Sequence, residues 1–243
     1  MDSGYYAACA GLRAQTQALE LAAQNLANIN TTGYRAQQAL FRSLLANASG
    51  SRLNLLNRAI NDFGVLGGSR VDLNPGSLER TGNPLDLGIE GKGFFVIQTE
   101  RGTLYTRNGN FHVSAKGQLV TAEGDPVMGE RGPISVPSGA VAISSDGTLS
   151  LNGAVAGKLR LVEFPSTSDL MSEGNSYYSA AAATKASADT YVRQGMIEGS
   201  NVSPVMGFVG LIEVQRQAEM LQRALTTFHT EFNRIATAEL PRV

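Results

Sequence analysis

The sequence predicts an α+β fold in which N- and C-terminal helices pair in a coiled-coil-like stalk and carry a central all-β domain. Three observations point there: apolar heptads in long proline-free stretches at both ends, short β-type runs cut by glycine turns in the middle, and weakly periodic segments joining them. The implied organisation is discontinuous. Residues 1–34 and 203–243 form the helical core, 35–85 and 186–202 an extended connector, and 86–185 the β domain.

From Asp2 to Ile29 there is no proline, glycine is limited to Gly4 and Gly11, and alanine, leucine and glutamine dominate, which favours helix. Asp2 or Ser3 can cap its start. With Tyr5 as position a of a heptad, Tyr5, Leu12, Leu19 and Leu26 fall at a, and Ala8, Gln15, Ala22 and Ile29 at d. Gln15 alone among them is polar. Asn25 and Asn28, three residues apart, lie together on the flank of this seam, where their amides can bond to a neighbouring chain and set its register. Thr31, Thr32 and Gly33 then end the helix, Gly33 by a left-handed turn, and Tyr34 anchors the chain beyond it.

Residues 45–85 mix glycine, asparagine, serine and proline without clear period and read as an extended connector. The next eighty residues hold candidate strands at 93–99, 104–108, 111–114, 118–121, 140–144, 148–151 and 158–164, rich in valine, isoleucine, leucine and phenylalanine. Asn108-Gly109, Asp146-Gly147 and Asn152-Gly153 supply positive-φ hairpin positions, and Lys116-Gly117 and Glu123-Gly124 further turns. The low-complexity run SAAAATKASADT, 179–190, reads as a mobile loop.

Ser203 followed by Pro204 opens the last helix as N-cap and first-turn residue, and no proline recurs until Pro241. Such a helix of about 36 residues is roughly 54 Å long. Its a positions are Leu211, Ala218, Leu225 and Phe232, and its d positions are Val214, Leu221, Phe228 and Ile235, all apolar. Val205, Met206, Phe208, Val209 and Ile212 add apolar surface on other faces, more than one partner helix can cover. Two helices alone bury too little surface to be stable, so the pattern favours self-assembly over a self-sufficient hairpin.

The remaining features argue against chemistry at a site. A net charge of -1 and scattered basic residues give no electrostatic footprint for nucleic acid. The single cysteine, Cys9, reads as a small packed residue that can make no internal disulfide. No apolar run of 18 residues predicts membrane insertion, and the first residues lack a cationic then apolar leader. GIEGKGFF, 88–95, fails as a phosphate loop because Gly93, not a serine or threonine, follows Lys92, so it reads as a turn into a strand. His112 and His229 lack partners at metal-ligand spacing, and both read as solvated. No cofactor is expected. Asp86, Glu90, Asp125 and Asp146 keep a carbohydrate-acting enzyme open as an alternative, although aspartate near turns is ordinary. An adhesin using the β domain is a further alternative.

NLANINTTGYR (25–35), NPLDLGIEGKGFFVI (83–97), YTRNGNFHVSAKGQLVT (105–121), EGSNVSP (198–204) and LIEVQRQAEM (211–220) together resemble the bacterial flagellar basal-body rod and hook proteins, in the family's order and over nearly the whole chain. GDPVMGERGPISVPSG (124–139) and IEGSNVSP (197–204) are most similar to the proximal-rod members, the distal-rod members being next. Gln24 departs from the small residue or asparagine usual before the NLAN element. The resemblance implies a non-catalytic axial subunit with terminal helices in a tubular core and a β domain outside. It implies as partners further copies and other rod subunits, and passage through the flagellar type III export apparatus to the periplasmic rod. The assembly interface would then use Tyr5, Leu12, Leu19, Asn25, Leu26, Asn28, Ile29, Phe208, Leu211, Val214, Leu221, Leu225, Phe228 and Phe232, with Thr32, Gly33 and Tyr34 as the helix-end turn.

Overall fold

The computed structural model describes residues 2–42, 65–136, 141–164, 170–180, 185–186 and 189–239. Two compact units divide the chain: a helical unit of Met1–Leu26, Gln37–Ser69 and Pro204–Val243, and a β unit of Ala27–Ala36 and Arg70–Ser203. The α+β class is as the sequence predicts.

In the helical unit, helix α1 spans Asp2–Ala27 and helix α2 spans Pro204–Glu239. Two strands, Gln37–Arg42 and Val65–Val71, pair with one another. The most buried line on α1 runs through Ala8, Gly11, Ala14 and Ala18, while Leu12, Leu19 and Leu26 are half-buried beside it. Small residues thus take the innermost positions, one stripe round from the leucines. On α2 the half-buried line is Gly207, Leu211, Val214, Ala218, Leu221 and Leu225, which follows the heptad. Tyr5, Phe232 and Ile235 lie on the helices, but their side chains fall outside the described residues.

Helix α1 stops two residues before Ile29, which lies in the turn formed by residues 28–30. The cause is local. Asn28 and Thr31 bond to each other, backbone N–H to carbonyl at 3.1 Å and hydroxyl to Oδ1 at 3.1 Å, and this competes with helix propagation.

The β unit is antiparallel throughout its described pairings. Its largest sheet has six strands in the order Leu170–Gly174, Tyr177–Ala180, Gly102–Thr106, Phe94–Thr99, Leu161–Glu163 and Lys185–Ala186. Beside it are a three-stranded sheet, Val141–Ile143, Thr148–Leu151 and Ala154–Lys158, and four two-stranded pairs. Strand Phe94–Thr99 explains why its sequence is an unbroken apolar run. Phe95 and Ile97 enter one core cluster with Leu87, Phe111, Leu119 and Leu149, whereas Phe94 and Val96 enter another with Val71, Phe164 and Tyr178. Edge-on ring contacts, Phe95 on Phe111 at 5.1 Å and Phe94 on Phe164 at 5.3 Å, tie each face to its cluster.

Each candidate strand of the central region overlaps a strand, that at 104–108 being shifted to Gly102–Thr106, while Ala154–Lys158, Leu170–Gly174 and Tyr177–Ala180 are further strands that had no candidate. The connector differs. Leu78–Arg80, Tyr191–Gln194 and Met196–Glu198, read from sequence as extended joining chain, are paired strands: Met196–Glu198 on Leu78–Arg80 and Tyr191–Gln194 on Leu87–Glu90. Their partners lie over a hundred residues away, so local periodicity carries no sign of them. Half of the low-complexity run, residues 181–184 and 187–188, falls outside the described residues; of the rest, residues 179–180 and Lys185–Ala186 lie in strands of the six-stranded sheet and not in the loop the sequence predicts.

Gly109 also differs from expectation. It has no positive φ, unlike Gly117, Gly124, Gly147 and Gly153. Its lack of a side chain serves close approach instead, because a Cβ there would stand 1.7 Å from the Leu87 carbonyl oxygen, and the Gly109 carbonyl accepts the Leu87 N–H at 3.0 Å. Gly109→Ala is expected to destabilise the chain by about 2–3 kcal/mol, since backbone and not a flexible side chain must move. Gly210→Ala on α2, where a Cβ meets nothing within 4 Å, is expected to be neutral or to stabilise by about 0.5–1 kcal/mol. Urea unfolding of the two variants beside the parent chain checks both.

Candidate assembly joint

The segment that leaves α1 is held by side chains from its own chain. Within the helical unit, Asn25 Nδ2 donates to the Gln37 carbonyl at 2.8 Å, and the Gln37 N–H donates to Asn25 Oδ1 at 2.8 Å. The amide therefore acts as a rung of β-ladder, turning the chain back toward strand Gln37–Arg42. The sequence places this amide toward a neighbouring chain; the structure closes it on Gln37, because the turn at 28–34 brings that strand beside the helix end. Asn28 is likewise engaged locally, with Thr31.

Within the β unit, Gly33 takes φ +67°, but α1 ends at Ala27, so Thr31, Thr32 and Gly33 form a turn beyond the helix and do not cap it. Gly33 is constrained a second time, since a Cβ would lie 2.2 Å from the Asn108 backbone nitrogen. The Gly33 N–H donates to the Glu198 carbonyl at 2.7 Å, Ser176 Oγ donates to the Thr32 carbonyl at 3.2 Å, and Tyr34 is buried.

Next comes Arg35, fully buried. Its Nη2 lies 2.5 Å from Glu198 Oε1, and Arg107 Nη1 lies 3.0 Å from Glu198 Oε2, so one carboxylate bridges two guanidiniums with all three side chains almost wholly buried. The Gly76 N–H donates to Glu198 Oε1 at 2.9 Å, Arg107 Nη2 donates to the Gly91 carbonyl at 2.7 Å, and the Arg107 guanidinium lies 4.9 Å from the Phe94 ring centroid. Burial lowers the Arg107 pKa to about 10, partly offset by Glu198 and deepened by Arg35. Tyr178 Oη accepts the Arg35 backbone N–H at 2.9 Å, and burial pushes its phenol up to about 12.

Asn201 completes the joint. Its Oδ1 accepts the Ala36 N–H at 2.7 Å, and its Nδ2 donates to the carbonyls of Asp72 at 3.2 Å and Asn74 at 2.9 Å. Arg35, Arg107, Glu198 and Asn201 escape a sequence reading focused on heptads. The signals present were an arginine directly after Gly33-Tyr34, a lone acid after Met196-Ile197, and an asparagine in a triplet that also resembles a glycosylation acceptor.

The start of α2 presents the other notable surface. Val205 is 70% exposed, Met206 68%, Phe208 54%, Val209 45% and Ile212 49%. Phe228, a seam position, is 50% exposed. The carboxylates considered for hydrolysis each have ordinary partners. Asp86 is buried and accepts from Asn83 Nδ2 at 2.9 Å, Glu90 pairs with Arg193 at 2.7 Å, and Asp146 binds Thr148 and Lys158. Asp125 shares the Tyr177 hydroxyl with Glu123, at 3.1 and 3.0 Å. His112 and His229 are exposed, and Cys9 is half-buried. Among the described residues no three histidines, cysteines or carboxylates group as metal ligands, and no helix is long and apolar enough to cross a membrane.

Glu198→Gln leaves two buried guanidiniums without their counter-charge and is expected to cost about 3–5 kcal/mol by urea unfolding. The tyrosines give a second expectation. Tyr178 is held neutral to about pH 12, and Tyr177 is pushed further up by burial, with two carboxylates beside its hydroxyl. A folded-state pKa above the unfolded value near 10 gives stability that is complete below pH 10 and is lost as pH rises through 12. Alkaline absorbance titration should show late-ionising phenols that join the main transition in denaturant, with one fewer in Tyr178→Phe.

Three family models match the chain. They are described as the flagellar basal body rod protein, at residues 6–35, the flagellar hook protein FlgE/F/G D1 domain, at 88–151, and the flagellar basal body rod FlgEFG protein C-terminal region, at 193–237. The flagellar basal-body rod protein FlgF of Caulobacter vibrioides is 30% identical over 100% of both chains. That of Salmonella typhimurium is 34% identical, covering 93% of this chain and 94% of its own. The rod protein FlgG of Agrobacterium fabrum is 34% identical over 90% of this chain and 93% of its own. With residues of the joint lying in all three matched regions and similarity running end to end, the chain belongs to the flagellar basal-body rod protein family.

Proposed function

We propose that the chain is a structural subunit of the flagellar basal-body rod, FlgF-like and so of the proximal segment, which polymerises with copies of itself and related rod subunits into the periplasmic shaft that passes torque from rotor to hook. The observation that carries this reading is the apolar surface of α2. A stable monomer rarely leaves valine, methionine, phenylalanine and isoleucine side chains about half or more exposed within two helical turns. In the proposed assembly α1 and α2 pair as a coiled-coil-like stalk along Leu12, Leu19 and Leu26 and along Leu211, Val214, Leu221 and Leu225. The faces around Phe208 and Phe228 bury against adjacent subunits. Each leucine or phenylalanine so buried stabilises by roughly 1.5–3 kcal/mol, and a heterologous contact repeated without closure builds a filament.

The β unit needs no catalytic role in this reading. Its acidic residues are engaged in turns and ion pairs, and its buried charges hold the chain together. Export through the flagellar type III apparatus fits a chain whose single cysteine cannot cross-link it internally. The FlgG relatives, as similar as some FlgF relatives, support a distal-rod or hook-type subunit as the second reading. Expression in cells lacking one or the other rod protein separates the two by which strain regains motility.

Leu225→Asp and Phe228→Asp are each expected to abolish rod assembly and motility while the β unit keeps its unfolding transition. Normal motility in both variants would overturn the proposed seam. A complementary measurement is circular dichroism of dilute full-length chain, where the terminal helices should gain order on assembly. Full helix content in the monomer would show that their order is independent of neighbours.

A further inference from the structure

Residues 189–201 run through the β unit and bond to the six-stranded sheet, to the three-stranded sheet and its hairpin, to strands Leu78–Arg80 and Leu87–Glu90, and to the segment around Arg35. At the six-stranded sheet, Thr190 Oγ1 accepts the Gly93 N–H at 3.0 Å and donates to Glu163 Oε1 at 3.1 Å. Tyr191–Gln194 pairs with Leu87–Glu90, and Val192 is buried in the larger core cluster. At the three-stranded sheet, the Val192 N–H donates to the Ser145 carbonyl at 2.8 Å, while Gln194 accepts the Ile143 N–H at 3.1 Å and donates to the Val141 carbonyl at 3.0 Å. Met196–Glu198 then pairs with Leu78–Arg80, Glu198 bridges Arg35 and Arg107, and Asn201 holds Ala36, Asp72 and Asn74.

We propose that this segment is a closing strap on which folding of the whole β unit depends, so that the preceding chain cannot complete its fold until residues 189–201 are in place. Two arguments support it. Pairs of strands as small as Leu78–Arg80 with its partner are marginal alone, and the strap supplies one strand to each of two such pairs while joining both to the larger sheets. Before it docks, Arg35 and Arg107 could be buried only as two cations without the carboxylate that bridges them, which costs several kcal/mol. The strap is also among the last parts of the unit in chain order, since Ser203 ends it. The β unit is therefore a single cooperative body gated by its C-terminal end, and partial lengths of it remain unfolded.

Native-state hydrogen exchange of the full-length chain tests this. Asn201→Ala and Gln194→Ala act at opposite ends of the strap. Each is expected to lower protection of the Phe95–Ile97 and Leu149–Leu151 amides by the same factor as the Val192 and Ile197 amides, on the order of tenfold for loss of a net hydrogen bond. Arg193→Ala, which removes an exposed ion pair on the same strand, should leave both sets unchanged. If protection falls only in the strap and in the strands it pairs with, while Phe95–Ile97 keeps its parent value, the strap is a locally fraying edge and the proposal is wrong. An equal loss from Arg193→Ala would also overturn it, because the effect would then not come from the strap's buried bonds.

Discussion

The bridge of Glu198 between Arg35 and Arg107 is the constraint on which the β unit turns. It joins three stretches that sequence separates widely: the exit from the first helix, the end of strand Gly102–Thr106, and the return toward the last helix. A pairing this deeply buried is weak evidence of net stability, since desolvation offsets most of its Coulomb gain. Its consequence is specificity. Any arrangement that buries one member without the others leaves an uncompensated buried charge, which costs several kcal/mol. Two arginines against one carboxylate leave an excess positive charge, and the Phe94 ring, the Gly91 carbonyl and the Gly76 N–H are arranged around the cluster so that its remaining polar groups are partly met.

Backbone geometry follows from that bridge. For Arg35 to reach Glu198, the chain leaving the helix must pass so close to Asn108 that only glycine fits at position 33, and its N–H then bonds to the carbonyl of the same Glu198. Asn201, three residues further on, repeats the device with an amide in place of a carboxylate. A neutral side chain with two donors and two acceptors suits loops, where backbone groups would otherwise lack partners. The charged cluster and the asparagine together fix where the chain enters and leaves the β unit.

Much of this plan is legible in the sequence, and the boundary of legibility is physical. Signals confined to a few neighbours come through: the two long terminal helices, the strand around Phe95, the positive φ of Gly33 and the Ser203-Pro204 start. What depends on distant partners does not. Met196–Glu198 is a strand because Leu78–Arg80 lies opposite it, and neither segment has an alternating pattern of its own. Gly109 looks like a turn glycine, yet it is required by a carbonyl twenty-two residues earlier in the chain. Asn25 lies on the flank of its helix, and whether its amide faces its own chain or another depends on where Gln37 returns, which no local pattern records. The charged bridge was illegible because each member, taken alone, is an ordinary surface residue type.

The two units satisfy their polar and apolar groups in opposite ways, and that contrast bears on function. In the β unit, apolar side chains enter two core clusters, and even its buried charges find partners within the chain. In the helical unit, α1 buries alanine and glycine, while α2 leaves the large apolar side chains at its start 45–70% exposed. Small residues at the innermost positions of α1 permit close approach of another backbone but contribute little apolar area of their own. A long helix gains most of its stability from packing and not from intrinsic propensity, so α2 carries a surface whose stabilisation must come from beyond its own covered stripe. A β unit with its own core, joined in sequence to a helix whose described start carries half-exposed apolar side chains, fits the division of labour of a polymerising subunit.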